Sequence, residues 1–559
     1  MDRLDAFAVA ALIEEIGARL ELKGESEFKV RAYYRAAETL RELEESLDLT
    51  IASGQLRALP GIGDALAEKI VALQQSGSHP TLDRLRGEVP DGLLDLMRVP
   101  GLGPKRIRQL HAELDIRDMD GLSAAIEAGR LNGIKGFGGR TVERLREALE
   151  FVRLSANQLL LPQADAAVEN AFQEIQHRGE VIEVCTAGEI RRRCELVADL
   201  ALVASTRRSD LLPPRAGRDR ETRVVAAHPA EFGLALLYET GSAEHLRQLE
   251  ARAARRGLSL SRKGLFREAA PLPVASEKEI YESLGLPWLE PEWREGNGEL
   301  EAADDGRLPA PLQVADLRGL LHCHTRFSDG LNTIEEMAEA ARALGMTYLG
   351  IADHSQSAFY AQGLDEGRIR EQHEQIGRLN ERYAGRGVSF RVFKGIESDI
   401  REDGSLDYPD EILSRFDFVV ASVHSHFQLD EERQTERVLR ALAHPATTIL
   451  GHPTGRLLRR REGLKLNLER ILDGCARHGV AVELNAHPER LDLDWRWHAR
   501  ALERGLLLSI NPDSHATGEL AQYHFGVEMA RKGRVPAERV LNSRDSGALA
   551  GYFAARRWR

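Results

Sequence analysis

The sequence predicts a multidomain α/β protein with a helical N-terminal region, a β-rich middle and a C-terminal barrel of alternating strands and helices. Three observations predict this fold class. Residues 1–150 have helical periodicity and repeat one glycine-containing pattern. Residues from about 151 to 240 contain short apolar runs typical of strands, and the last part alternates seven such runs with helical segments. A chain of 559 residues is long enough for several buried cores.

Composition excludes several classes of protein. A hydrophobic content of 42% excludes a wholly disordered chain, and no apolar run reaches the roughly 18 residues of a membrane span. The N-terminal segment reads as an amphipathic helix containing acids rather than as a secretory signal, which predicts a cytoplasmic protein. Four cysteines without CxxC spacing are too few for a disulfide framework or a thiolate zinc site. The net charge of −12 is compatible with local arginine-rich surfaces that bind phosphates.

One short pattern recurs three times in the helical region, as LPGIGDALAEKI from Leu59, VPGLGPKRIRQL from Val99 and IKGFGGRTVERL from Ile134. Each copy has an apolar residue, a turn with two glycines and the start of a helix. Such a turn exposes backbone N–H groups near a helix N-terminus, where a DNA phosphate binds without base recognition. The pattern resembles the helix-hairpin-helix motif. Its predicted DNA-binding residues are Gly61, Gly63, Gly101, Gly103, Gly136 and Gly138.

Thirteen of the eighteen histidines follow residue 312, and most of them lie at the ends of strand-like runs. In a parallel β/α barrel the C-terminal ends of the strands meet at one mouth, so these side chains are predicted to face one another. Nine nitrogen and oxygen ligands without a thiolate suit two or three divalent ions, such as Mn²⁺, Zn²⁺ or Fe²⁺. The predicted ligands are His322, His324, Asp329, His354, Glu397, His424, His452, Asp513 and His515.

These residues lie in motifs that resemble the PHP (polymerase and histidinol phosphatase) family: HCH at His322, SDG at Ser328, ADH at Ala352, GIESD at Gly395, SVHS at Ser422, GHP at Gly451 and PDSH at Pro512. The resemblance implies a distorted (β/α)7 barrel that hydrolyses phosphoesters with metal ions. It implies a catalytic role for Glu397, as the residue that bridges ions, and for Asp513 and His515. Arg456, just past one ligand, is a candidate to pair with a substrate phosphate.

Three upstream segments resemble the bacterial family X DNA polymerases: TAGEIRRRCELVADLALVA from Thr186, EFGLALLYETGSAEHLRQLE from Glu231 and SLGLPWLEPEWREGNGELEAA from Ser283. Together with the hairpin repeats and the barrel, the resemblance covers essentially the whole chain. The domains that it implies are a lyase-like helical domain with helix-hairpin-helix (1–85), a fingers-like hairpin region (86–150), a nucleotidyltransferase-like palm (151–240), a thumb and linker (241–312) and the PHP domain (313–559).

The sequence departs from that family at the polymerase centre, which needs a Gly-Ser pair for the dNTP, a DxD pair for two Mg²⁺ ions and a third Asp on a later strand. Gly188 is followed by Glu189. Asp199 keeps the first carboxylate, whereas Ala201 stands at the second position. The third position is assigned to Glu221. Because a carboxylate that holds both ions is lost, binding of Mg²⁺ and dNTP and nucleotide addition are predicted to be impaired.

The leading interpretation is a monomeric DNA-repair enzyme, of the base-excision type, that binds gapped or 3′-ended duplex and removes nucleotides from the 3′ end. Three alternatives stay open: an active gap-filling polymerase with an accessory nuclease, a non-catalytic DNA-binding module in residues 1–312, and a small-molecule phosphatase of the histidinol phosphatase type. Lys69 stands where related enzymes carry a lysine that forms a Schiff base with an abasic sugar. We favour the interpretation of Lys69 as a phosphate-binding or plain surface lysine over the lyase role.

Overall fold

The computed structural model describes residues 4–41, 43, 46–59, 61–155, 157–217 and 220–556. They form two compact units, Met1–Asn157 with Arg459–Arg461 and Gln158–Leu458 with Glu462–Arg559. The multidomain α/β class predicted from the sequence is confirmed. None of the described helices is both long and apolar enough to cross a membrane.

The first unit is helical. Asp5 caps the first helix by accepting from the backbone N–H of Ala8 at 2.8 Å, and Gly24 ends it in the left-handed conformation. The apolar side chains form two cores, one around Ile13 and one around Ile107. The helices are α1 (Ala6–Lys23), α2 (Glu27–Arg41), α3 (Leu47–Ala52), α4 (Asp64–Ser76), α5 (Pro80–Glu88), α6 (Asp91–Leu96), α7 (Pro104–Leu114), α8 (Met119–Glu127) and α9 (Gly139–Ser155).

The second unit begins with a small mixed sheet. Its elements are β1 (Leu159–Leu160), α10 (Leu161–Gln176), β2 (Val181–Ala187), α11 (Gly188–Arg191), β3 (Leu196–Val197), β4 (Ala201–Thr206), β5 (Arg215–Ala216) and β6 (Thr222–Ala227). The four-stranded sheet has the order β2-β4-β6-β5, in which only β4 and β6 are parallel. Val168 and Ile175 of α10 belong to the same apolar core as Leu202 and Ala204 of β4. β1 and β3 pair with each other in a separate two-stranded antiparallel sheet. The β-rich middle expected from the sequence is therefore a four-stranded sheet covered by a helix, together with this short two-stranded sheet.

A helical region with a three-stranded antiparallel sheet follows. Its elements are α12 (Phe232–Thr240), α13 (Ala243–Arg255), β7 (Leu258–Ser261), β8 (Gly264–Arg267), β9 (Ala270–Leu272), α14 (Glu277–Ser283) and α15 (Glu299–Asp304). The polar, acidic stretch GNGELEAADDG from Gly296 lies in the thumb and linker range implied by the resemblance, and the structure shows that it is folded. The buried Glu299 carboxylate accepts from the backbone N–H groups of Gly296 at 2.8 Å and Asn297 at 2.6 Å.

Seven parallel strands in sequence order form the C-terminal barrel. The strands are β10 (Gly319–Cys323), β11 (Tyr348–Ile351), β12 (Arg391–Asp399), β13 (Phe418–Ser422), β14 (Ile449–Leu450), β15 (Ala481–Asn485) and β16 (Leu508–Asn511). The helices are α16 (Ile334–Ala343), α17 (Glu366–Gly385), α18 (Asp410–Leu413), α19 (Glu431–Ala443), α20 (Leu468–His478), α21 (His498–Glu503), α22 (Tyr523–Lys532) and α23 (Ser546–Arg556). A parallel bridge between Cys323 and Ser514 brings the two ends of the sheet together. The nearly closed barrel confirms the predicted (β/α)7 fold and directs its strand ends to one mouth.

Candidate metal centre

Polar side chains from the strand ends meet at the mouth of the barrel. His322 lies in β10 and Glu397 in β12, and the other predicted ligands follow strands at the turns toward the next helix. The φ angles of His322 and Asp513 are 74° and 55°, a conformation that costs energy in non-glycine residues and clusters at functional sites. The structure thus brings the nine residues singled out from the sequence into one cluster.

Glu397 occupies the centre of the cluster and is 1% exposed. Its Oε1 lies 3.0 Å from Nε2 of His452, 3.2 Å from Nε2 of His424 and 3.3 Å from Nε2 of His322. Its Oε2 lies 2.8 Å from Nδ1 of His354. The two carboxylate oxygens thus face different imidazoles, so Glu397 would be able to help hold more than one divalent ion, whose charge would activate a water and stabilise a phosphate.

Asp513 and Asp329 face the remaining imidazoles. Oδ1 of Asp513 lies 3.1 Å from Nε2 of His324. The two oxygens of Asp329 lie 3.5 Å from Nε2 of His515 and 3.7 Å from Nε2 of His354. Three groups have ligand atoms within 4.8 Å of one another: His324 with Asp329, His354 and His515; His322 with His324 and Glu397; and His354 with Glu397 and His424.

Several buried atoms of the cluster make no hydrogen bond of acceptable geometry in the part of the chain that the structure describes, although carboxylate oxygens and imidazole nitrogens lie close together. They are Nε2 of His322, Nδ1 of His324, Oδ1 of Asp329, Nδ1 of His354, Oε2 of Glu397 and Nδ1 of His452. Each buried polar atom without a partner costs about 1–3 kcal/mol, so a protein rarely keeps a group of them. Imidazole nitrogens beside carboxylate oxygens are the donor set of a divalent cation, and the residues present therefore fit metal ions.

The charges within the cluster lead to the same conclusion. Burial would lower the pKa of His424, but the carboxylates of Glu397 and Asp399 outweigh it and raise the pKa to about 10. Burial lowers the pKa of His324 to about 3, and His515 and His354 act in the same direction. Neighbouring imidazoles are thus driven toward opposite charge states. Bound cations would resolve this conflict by compensating the carboxylates while the imidazoles stay neutral.

Two further carboxylates orient the imidazoles and were not identified from the sequence. Nδ1 of His322 pairs with Oε1 of Glu483 at 2.7 Å, and Nδ1 of His424 pairs with Oδ1 of Asp399 at 2.6 Å. A carboxylate that accepts from Nδ1–H leaves Nε2 free to bind a metal. Glu483 lies in β15 and Asp399 ends β12. Their sequence signal is therefore a carboxylate near the C-terminal end of a barrel strand.

The arginine predicted to bind the substrate phosphate is held away from that role. The guanidinium of Arg456 donates to the carbonyls of Arg490, at 2.8 Å, and Leu491, and it pairs with Asp494. Nε of Arg490, by contrast, lies 3.6 Å from Oδ2 of Asp513, and its side chain is partly exposed. The structure thus places Arg490, rather than Arg456, beside the predicted metal ligand Asp513. Sequence reasoning missed Arg490 because it lies in a turn that no motif covers.

The glycine pairs of the helical unit share one geometry. The first glycines adopt positive φ, which favours glycine over other residues. These angles are 77° at Gly61, 81° at Gly101 and 91° at Gly136. The second glycines lie in open space, and an added Cβ would meet no atom of the described residues within 4 Å at Gly63, Gly103 or Gly138. Gly63 and Gly103 are also the N-cap residues of α4 and α7, a position where glycine is favoured over alanine. The open space beside the second glycines leaves room for another molecule to approach the backbone, as the predicted DNA-binding role requires.

The polymerase-like region carries a cation where a third carboxylate was expected. The sheet pairs Ala201 of β4 with Arg223 of β6. The guanidinium of Arg223 lies 3.0 Å from Oδ2 of Asp199. Glu221, which we assigned to this place from the sequence, instead pairs with Arg215 at 2.7 Å. Arg223, and not Glu221, is therefore the residue beside Asp199, because the register between β4 and β6 decides which side chain faces it.

Glu189, at the position of the expected serine, folds back on its own loop. Its carboxylate accepts from the backbone N–H of Ala198 at 2.6 Å and of Asp199 at 3.4 Å. Gly188 before it has a φ of 65°, so the tight turn is kept. The Glu189 carboxylate thus takes up the backbone N–H groups of Ala198 and Asp199 as hydrogen-bond donors.

Lys69 lies in α4, and its Nζ donates to the carbonyl of Ala65 at 3.0 Å on the same helix. This contact directs the amine along its own helix. A lyase role for Lys69 stays a prediction.

Four family models match the chain. They are a helix-hairpin-helix domain over residues 7–79, a SAM-like helix-hairpin-helix tandem over 93–150, a DNA polymerase beta thumb over 235–295 and a PHP domain over 321–487. These ranges contain the glycine turns, most of α12, all of α13 and α14 and most of the predicted metal cluster.

Curated relatives match the whole chain or parts of it. The chain is 34% identical to the DNA polymerase/3′-5′ exonuclease PolX of Bacillus subtilis, over 96% of this chain and 97% of that protein. It is 27% identical to a probable phosphatase of Acetivibrio thermocellus, over 40% of this chain and 89% of the relative. It is 26% identical to DNA polymerase lambda of Rattus norvegicus, over 43% of this chain and 48% of the relative.

Proposed function

We propose a 3′-5′ exonuclease function in DNA repair for this chain, which belongs to the bacterial family X DNA polymerases with a C-terminal PHP domain. The observation that carries the proposal is the cluster around Glu397, whose buried donors fit divalent ions at a barrel mouth. The hairpin turns support DNA as the substrate, because the space beside their second glycines admits a phosphate backbone. We propose a gapped or 3′-ended duplex and a monomeric enzyme.

The residues around the cluster have separate roles in this proposal. The nine ligands would hold two or three ions, for which we propose Mn²⁺, Zn²⁺ or Fe²⁺. When bound, such ions activate a water and neutralise charge on the phosphate. Glu483 and Asp399 hold the rings of His322 and His424 so that Nε2 points inward. Arg490 would pair with a non-bridging oxygen of the substrate phosphate.

An exonuclease assay tests the proposal. The protein is incubated with Mn²⁺ and a duplex carrying a label on the 5′ end of one strand. Stepwise shortening of the labelled strand is expected for the wild type, and its loss is expected for Asp513→Ala. Glu374→Ala, which removes an exposed carboxylate of α17, is the matched control and should cleave normally. Release of internal fragments, or unchanged cleavage by Asp513→Ala, would contradict the proposal.

We further propose that nucleotide addition is impaired. Two-metal phosphoryl transfer needs carboxylates around both ions. In this chain the carboxylate of Asp199 is already paired with the guanidinium of Arg223. The strand position paired with Arg223 is Ala201, which has no carboxylate. Arg223 also pairs with Glu239 at 2.7 Å, which holds the cation in place. An active gap-filling polymerase is the alternative, and primer extension by Glu397→Ala protein would support it. Hydrolysis of small phosphomonoesters without DNA cleavage would favour a phosphatase instead.

A further inference from the structure

Two adjacent aromatic side chains project into solvent beside the metal centre. Phe359 is 86% exposed and Tyr360 is 62% exposed, and they are the only neighbours in sequence among the exposed large apolar side chains of the described residues. The Tyr360 ring lies 6.2 Å from the ring of the predicted ligand His354 and 6.2 Å from the Phe359 ring. We call this pair the aromatic platform.

The loop that carries the platform is anchored to the metal centre. The backbone N–H of Leu364 donates to the carbonyl of His354 at 2.9 Å, and that of Ser355 donates to the carbonyl of Glu397 at 3.0 Å. Gly363 closes the loop so tightly that an added Cβ would lie 1.8 Å from the carbonyl oxygen of Ser355. The two hydrogen bonds to predicted ligand residues and the tight closure of the loop at Gly363 therefore keep the rings at a fixed distance from the cluster.

Packing does not explain the exposure of the platform. Ala358 and Ala361 of the same loop are buried and suffice to attach it to the barrel. Burial of an aromatic side chain stabilises a protein, and the outward position of Phe359 forgoes this stabilisation. Exposed aromatic rings at a cleft are typical of surfaces that bind a flat apolar group.

We propose that the Tyr360 ring of the platform stacks on the base of the 3′-terminal nucleotide while the phosphate of that nucleotide lies at the metal centre. The Phe359 ring is inclined at 76° to the Tyr360 ring and would contact the edge of the same base. This inference rests on the proposed nuclease function and names the residues that hold the terminal base. A base lies within one nucleotide of its own phosphate, so the two sites match the two ends of one nucleotide. Stacking on an aromatic side chain contributes about 1–3 kcal/mol per base without sequence preference.

Cleavage rates on two ends test this inference. One oligonucleotide ends in a normal nucleotide, and its twin ends in a base-free tetrahydrofuran residue. The wild type should cleave the normal end about tenfold faster, as expected for one stacked base. In Phe359→Ala and Tyr360→Ala the ratio of the two cleavage rates should fall toward one, whereas Tyr360→Trp should keep the wild-type ratio. Leu344→Ala, which removes an exposed apolar side chain after α16, should behave as the wild type. An unchanged preference in both alanine variants contradicts the inference.

A binding measurement separates this inference from the nuclease proposal. The probe is an oligonucleotide with a 3′-terminal 2-aminopurine and a phosphorothioate linkage that resists cleavage. Its fluorescence should be quenched on binding to the full-length protein, and Tyr360→Ala should bind with less quenching. If the wild type cleaves no DNA but quenches the fluorescence of the probe more than Tyr360→Ala does, the nuclease proposal fails and base stacking on the aromatic platform is supported. Equal quenching by the wild type and both alanine variants overturns the platform.

Discussion

His322 and Glu483 form a buried pair in which Nδ1 of the imidazole lies 2.7 Å from Oε1 of the carboxylate. Glu483 also accepts from the backbone N–H of His452 at 2.7 Å, from Nδ2 of Asn511 at 2.9 Å and from Nδ2 of Asn485 at 3.3 Å, so its position is determined by four partners. One carboxylate thus positions two predicted metal ligands, the first through its ring and the second through its backbone.

Substitution of Glu483 is expected to weaken metal binding. In Glu483→Gln the amide cannot supply the charge that orients the His322 ring, so metal affinity should fall about 10- to 100-fold. Metal content after dialysis and competition with a chelator measure this change. Glu374→Gln on the exposed face of α17 is the control, and equal metal content in both variants would contradict the prediction.

Arg490 and Arg456 are expected to differ in their effects. Arg490→Ala should lower kcat/KM on DNA by about tenfold or more, since a charge-assisted contact to phosphate contributes roughly 1.5–3 kcal/mol. Its metal content should stay normal. Arg456→Ala removes contacts to Asp494 and to two backbone carbonyls, so it should lower the unfolding temperature. Steady-state kinetics and thermal melts of both variants distinguish these roles. A destabilised Arg490→Ala protein would argue against its role at the site.

The palm region is expected to need three changes before it extends a primer. In the Glu397→Ala background, where degradation cannot obscure synthesis, extension with dNTPs and Mg²⁺ should be absent. Ala201→Asp alone should not restore it, because the Arg223 guanidinium stays against Asp199. Ala201→Asp with Arg223→Asp and Glu189→Ser supplies three carboxylates and the Gly-Ser pair, so only this triple variant is expected to extend the primer. Extension without any substitution would refute the impaired site.

The two glycines of a hairpin turn are expected to respond differently to alanine. Gly103→Ala introduces a Cβ into open space, so the fold should be unaffected while salt-dependent affinity for duplex DNA falls. Gly101 has a φ of 81°, so Gly101→Ala should destabilise the helical unit by about 1 kcal/mol or more. Fluorescence anisotropy at several salt concentrations and thermal melts measure the two effects. Normal DNA affinity in Gly103→Ala would oppose the phosphate-binding role.

The stability of the region around α14 is expected to depend on pH through Glu277. Burial would raise the pKa of Glu277, but Arg294 and Arg191 outweigh it and lower the pKa below its ordinary value. A lowered carboxylate pKa stabilises the fold above the unfolded pKa, and this contribution is lost as the pH falls through the folded pKa. Glu277→Gln should therefore be less stable than the wild type at pH 7, and the gap should narrow toward pH 3. Urea unfolding monitored by tryptophan fluorescence at several pH values measures both free energies of unfolding. A difference between the two proteins that stays constant with pH would exclude this role of Glu277.

The ligand cluster could be predicted because it depends on local pattern. Apolar runs that end in histidine or a carboxylate specify strands with polar ends, and a parallel barrel brings such ends together whatever its details. The glycine turns were predictable for the same reason, since a positive φ such as that of Gly61 is a local property of the chain.

Other features depend on which distant side chains meet, and no local pattern encodes that. The pairing of β4 with β6 places Arg223 and not Glu221 beside Asp199. The turn that follows β15 places Nε of Arg490 near Asp513. The guanidinium of Arg456 instead donates to backbone carbonyls of the same turn. The sequence by itself determined the barrel, its nine candidate ligands and the hairpin turns, because periodicity and residue type suffice for these. Only the tertiary structure decided which arginine faces the ligands, which carboxylates orient the imidazoles and where the aromatic platform lies, because register and loop closure set those distances.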